Sequence, residues 1–162
     1  MNQYYIQQIF STIFYLSNKI QVQGDKVDDR ITMRQWMVLL TILHLPEKQT
    51  SYNQIANKMG CSKQNVKHLI VNLEKNNYVI SEKNKIDKRA VNVKITDNCI
   101  NLMDDYYKKG NEFMNTMFKD FDKEELKTLW MLLKKMATYD GCNWTGYEEK
   151  VNIKGNKGEK HE

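Results

Sequence analysis

Between Ser62 and Val71 the chain places hydrogen-bonding side chains at helical spacing, on the side away from its apolar residues. If Val66, Leu69, Ile70 and Leu73 face a core, then Gln64, Lys67, His68 and Val71 face outward, with Ser62, Lys63 and Asn65 around the first turn. The chemistry open to such a set is recognition rather than bond making. Lysine reaches a phosphate or the acceptors of guanine, Gln and Asn can pair in two-pronged fashion with adenine, and Val71 can meet a thymine methyl. The helix N-terminus adds backbone N–H groups that favour a phosphate. On an isolated amphipathic helix this face is no more than a solvated surface, so the surroundings of the segment decide its meaning.

No catalytic set competes with this reading. Asp104–Asp105 and Glu124–Glu125 are adjacent pairs whose members point differently on a helix, and no nucleophile is paired with a base. His44, His68 and His161 are scattered without metal-ligand spacing, so no metal site, cofactor or enzymatic activity is expected. Cys61, Cys99 and Cys142 are widely spaced and lack a CxxC pair, which argues for a reducing compartment and a cytoplasmic protein. Cys61 reads as a small hydrophobe in a turn rather than a thiol switch. Gln7, Gln8 and Ser11 interrupt the apolar stretch from Met1 to Leu16, so neither a secretory signal nor a membrane association is expected.

Charge is concentrated where the hydrogen-bonding face lies. From Ser51 to Thr96 there are nine basic residues against three acidic ones, a balance of +6 within a chain whose net charge is +5. All of the net positive charge therefore falls in one central segment, as expected where a phosphate backbone docks.

The flanking pattern supplies the elements that must position this segment. A helix over roughly Gln3 to Gln23 is marked by Ile6, Ile9, Phe10, Ile13, Leu16 and Ile20, and Gly24 with the acidic stretch Asp25 to Asp29 ends it. Thr32 with Gln35, and Ser51 with Gln54, have the spacing of capping boxes and open two further helices, stopped by Pro46 and Gly60. Ser62 caps the segment described above, and Asn76 and Asn77 end it. Tyr78 to Ser81 and the alternating run Ala90 to Ile95 then predict a hairpin with a basic tip. Thr96 opens a long helix to about Lys119 with Met103, Tyr106, Gly110, Phe113 and Met117 near a heptad. Asp122 and Glu125 open the last, striped by Leu126, Leu129, Trp130, Leu133, Met136 and Ala137 and ended by Gly141. The fold class expected is mainly α with a small β-hairpin wing: a winged helix-turn-helix core flanked by N- and C-terminal dimerisation helices.

The run Asp87-Lys88-Arg89-Ala90-Val91-Asn92-Val93-Lys94-Ile95-Thr96 resembles the wing signature of the MarR (multiple antibiotic resistance regulator) family, Asp-x-Arg before an alternating strand ending in Leu-Thr. The order of elements agrees with that family from Gln3 to Tyr139. The resemblance implies a recognition helix at Ser62 to Asn76, an Arg89 that enters the minor groove, and an Asp87 that orients it, with Lys88 beside them at the tip. The sequence departs from the family at Asn77, where Gly is common, near Ser81, where an Arg is common, and at Cys99, where Gly is common.

The expected DNA-binding set is thus Ser62, Lys63, Gln64, Asn65, Lys67, His68, Asp87, Lys88 and Arg89, and the expected partner is double-stranded DNA. Residues 31–96 form the winged reader. Residues 1–30 and 97–140 form a helical dimerisation region, because their apolar stripes are too extensive for the winged core alone to cover. A homodimer reading a palindromic operator, most commonly as a repressor, follows from the resemblance. So does release by a small aromatic or amphipathic effector, for which Tyr15, Trp36 and His44 are candidate contacts. Residues 141–162 are polar, Lys- and Gly-rich and expected to be a mobile tail, whose start Trp144 and Tyr147 can anchor. The alternative is a winged-helix protein–protein adaptor without DNA readout.

Overall fold

In the computed structural model, which describes residues 2–46, 50–83, 91–148 and 151, the described residues form six helices and one antiparallel hairpin. Helix α1 spans Gln3–Gly24, α2 Met33–His44, α3 Tyr52–Met59 and α4 Lys63–Lys75. Strands β1, Val79–Lys83, and β2, Val91–Ile95, make the wing. Helices α5, Asp97–Phe118, and α6, Lys123–Ala137, follow.

The helix starts are set by local hydrogen bonds. Thr32 with Gln35, Ser51 with Gln54, and Asp122 with Glu125 each form a complete capping box, which satisfies backbone N–H groups that the first turn leaves free. Ser62 and Thr96 accept from the N–H groups of Asn65 and Cys99 at 3.2 and 3.3 Å. Gly60, at φ +66°, takes the left-handed conformation that closes α3 without a Cβ penalty, and Asn77, at φ +55°, a residue type that tolerates that conformation, takes it after α4. Thr96 Oγ1 donates to the Asn77 carbonyl at 2.6 Å, so the turn after α4 is bonded directly to the start of α5.

The core lies within the winged unit and continues into α5. Val38 and Leu39 of α2, Ile55 of α3, Val66, Ile70 and Leu73 of α4, Val79 of β1 and Val93 of β2 are sealed from solvent. Cys99, Leu102, Met103 and Tyr106 extend this core along the first half of α5, and Trp36 stacks on Tyr106 with ring centroids 4.3 Å apart. Packing therefore runs continuously across the boundary at 96/97, and α5 serves both parts of the chain.

A buried carboxylate locks the connection between α1 and α2. Asp28 accepts from Arg30 Nη2 and Nε at 2.7 and 2.8 Å and from Lys109 Nζ of α5 at 2.8 Å. The Arg30 guanidinium holds the Asp28 carboxyl well below the usual carboxylate range, outweighing the opposite pull of burial. Asp25 Oδ1 accepts from the N–H of Met33 at 2.7 Å, at the positive end of α2.

The outer helices contrast with this closed core. Among the described residues, α6 has none that is buried, and Phe10 of α1 and Leu132 of α6 are 62% and 57% exposed. No described helix is long and apolar enough to cross a membrane.

Candidate nucleic-acid interface

Helix α4 is fixed from behind and open in front. Val66, Ile70 and Leu73 are fully buried and Leu69 nearly so, which sets the rotation of the helix about its axis. Ser62, Lys63, Gln64, Lys67, His68 and Val71 are then exposed on the opposite side and first turn. Two lysines and three further hydrogen-bonding side chains thus share one accessible surface with the N–H groups of the helix start.

Asn65 sits differently from its neighbours. It is half-buried, and its backbone N–H is held by Ser62. Its backbone N–H is thus part of the Ser62 cap that starts α4. Burial pushes the Cys61 thiol up, against the smaller opposing pulls of Asn65 and Arg34, which leaves little thiolate to react. Cys99 is buried more deeply, its thiol pushed up to about 12.

The wing stands beside α4 on a wider footing than a hairpin. β1 and β2 pair from Val79 opposite Ile95 to Lys83 opposite Val91, and Lys94 bonds Glu82 at 2.7 Å on the exposed face. The segment before α3 adds an isolated bridge to β2: Ser51 pairs with Asn92, and the Val93 N–H donates to the Thr50 carbonyl at 3.1 Å. Ser81, where an arginine is common in the resembling family, shares a hydrogen bond with Tyr52 Oη at 3.2 Å and so ties the wing to α3. Neither Thr50 nor Tyr52 stood out in the sequence for this role, because a single bridging residue and one side-chain hydrogen bond have no periodicity to detect. Asp87, Lys88 and Arg89 lie outside the described residues.

The three candidate effector contacts are not brought together. Tyr15 is exposed on α1 with Lys19 over its ring, Trp36 is engaged with Tyr106, and His44 bonds the Leu40 carbonyl through Nδ1 at 2.8 Å. A cavity of about 240 Å³ lies elsewhere, between α1, α2 and α3, with Met33, Met37, Met59 and Tyr147 among its lining residues. Among the described residues no cluster of His, Cys, Asp or Glu is arranged to hold a metal ion.

Comparison with known proteins agrees with this geometry. The MarR family model matches residues 31–91, from the entrance of α2 to the first residue of β2. No curated protein matches. A MarR/EmrR family transcriptional regulator from Acinetobacter sp. ADP1 superposes with a TM-score of 0.73 at 21% identity, over 83% of this chain and 96% of that one. The S. aureus MepR protein, solved as a DNA complex, gives 0.72 at 22% identity over 80% and 96%. The PcaV transcriptional regulator from Streptomyces coelicolor, solved with its natural ligand, gives 0.65 at 12% over 86% and 93%. Residues 31–91 of this chain thus match the MarR family model, and the chain carries the fold seen in these solved MarR family regulators.

Proposed function

We propose that the chain is a transcriptional regulator that binds double-stranded DNA as a homodimer, represses by occupying a two-fold operator, and is released by a small amphipathic effector. The observation that carries the reading is the two-sidedness of α4: its buried side fixes the helix, and its open side gathers Lys63, Gln64, Lys67 and His68. In the major groove, Gln64 and His68 are placed to read base edges while Lys63 and Lys67 neutralise phosphate or contact guanine. Arg89, with Asp87 and Lys88, supplies the wing contact in the minor groove, a role supported by the wing signature in the sequence.

The dimer reading rests on the exposed apolar surfaces of α1 and α6. Four turns of α1, from Gln3 to Asn18, carry no charged residue, and its Ile9, Phe10 and Leu16 lie open. Apolar surface of this extent on two long helices is what an obligate interface covers. A second copy packed through residues 1–30 and 97–140 would set two reading units, 31–96, about a helical turn of DNA apart. An effector would enter the cavity lined by Met33, Met37 and Met59, whose flexible thioethers suit amphipathic guests.

Selection of bound duplexes from a random pool tests the proposal. An enriched, roughly palindromic site whose affinity falls steeply with salt is the expected result. Absence of any binding at low salt would transfer the fold to a protein–protein adaptor role.

A further inference from the structure

Residues 144–148 do not trail away from α6 but fold back across the rear of the helix-turn-helix. Trp144 Nε1 donates to the Lys58 carbonyl at 3.0 Å, within the last turn of α3, where the helix leaves its carbonyls without internal partners. The Trp144 ring also stands edge-on to Trp130 of α6, with centroids 6.1 Å apart. Gly146 is buried at φ +70°, and a Cβ there would lie 2.6 Å from the Trp130 ring, so the crossing admits only glycine. Tyr147 Oη shares a hydrogen bond with Oγ1 of the buried Thr41 at 3.0 Å, and its ring lies between the edge of His44 and the Lys58 ammonium. Lys134 of α6 closes the loop with Glu148 at 2.6 Å.

We propose that residues 144–148 are a strap that fixes the reading unit to helix α6, and that its loss lets the two recognition helices of a dimer vary in spacing and weakens operator binding. The mechanical path is short. The strap holds the end of α3, and α3 passes to α4 through the Gly60–Cys61 turn, which the Cys61 N–H secures on the Ala56 carbonyl at 3.0 Å. Its contacts fall on α2, α3 and α6, leaving the exposed face of α4 open. A strapped reader presents both helices in register before DNA arrives, whereas a loose one must be ordered on binding. This inference rests on the DNA-reading role proposed above.

The test compares the full chain with Gly146→Ala, Tyr147→Phe and Trp144→Ala/Tyr147→Ala. Amide hydrogen exchange comes first, without DNA. The last turn of α3 is expected to exchange at least tenfold faster in the variants, with Val66 to Leu73 unchanged as a control for folding. Binding is then measured on a selected operator duplex and on a duplex carrying one half-site. Full-site affinity is expected to fall about tenfold while half-site affinity holds. Unchanged exchange in α3 would overturn the strap itself. Faster exchange with unchanged or tighter full-site binding would overturn its effect on spacing. Failure of the unmodified chain to bind either duplex would instead remove the DNA-reading role, with the exchange result still deciding the strap.

Discussion

Helices α4 and α6 carry apolar stripes at the same spacing and end in opposite surroundings. Val66, Ile70 and Leu73 of α4 are wholly buried by α2, α3 and the wing, whereas Trp130 and Leu133 of α6 remain 37% and 42% exposed. The winged unit thus completes its own core within one chain. The outer helices leave theirs open, and on the reading proposed above a second copy covers them. Under that proposal foldability and assembly belong to different parts of the molecule, with the first half of α5 packed into the closed core.

The largest effect should come from breaking the closed half. Ile70→Ala removes a buried side chain from the centre of the winged core and is expected to cost about 3 kcal/mol, read by denaturant unfolding. A surface-sized change of under 0.5 kcal/mol would show that the core described for α4 is wrong. Asp28→Asn tests the lock between that core and α5. It should cost about 2 kcal/mol near neutral pH through lost charge-assisted hydrogen bonds. Because the folded Asp28 carboxyl lies below its unfolded value, its contribution is present above pH of about 4 and is lost as pH falls through the folded value. The difference between Asp28→Asn and the parent chain should therefore shrink on acidification, and a difference that grows would have the wrong sign.

Leu133→Asp probes the open half. It places a charge in the stripe proposed to meet the second copy, so dimerisation should weaken by roughly a hundredfold, about 2.7 kcal/mol, in sedimentation equilibrium. Thermal unfolding of the winged core should move little. Equal damage to both would mean that α6 packs within its own chain. The smallest effect in stability, and the sharpest in specificity, belongs to the face of α4. Gln64→Ala and His68→Ala should leave unfolding unchanged and alter base preference by about 1–3 kcal/mol at single operator positions.

Much of this architecture was legible because its signals are local. Capping boxes at Thr32, Ser51 and Asp122 need only a three-residue spacing, and the stripe of α4 only a helical period, so each element start and the outward set from Gln64 to Val71 could be read directly. The features that escaped depend on partners distant in sequence. Asp28 lies in an acidic stretch that looks like a mere linker, and its lysine comes 81 residues later. Trp36 and His44 were candidate effector contacts by residue type alone, and nothing in the sequence placed Tyr106 against the one or the Leu40 carbonyl against the other. Asn65 has the chemistry of a base reader, yet it is half-buried where Gln64, Lys67 and His68 are exposed. The start of the tail, expected to be mobile, docks through Trp144 and Tyr147, whose anchoring was foreseeable from their type but whose targets on α2 and α3 were not.

The most direct test of the central claim is a binding titration of selected operator DNA with the unmodified chain, Gln64→Ala, His68→Ala and Arg89→Ala across a range of salt. The account predicts steep loss of affinity with salt, a broad weakening in Arg89→Ala, and altered base preference in the two α4 variants. Unchanged affinity and unchanged preference in all three would contradict it.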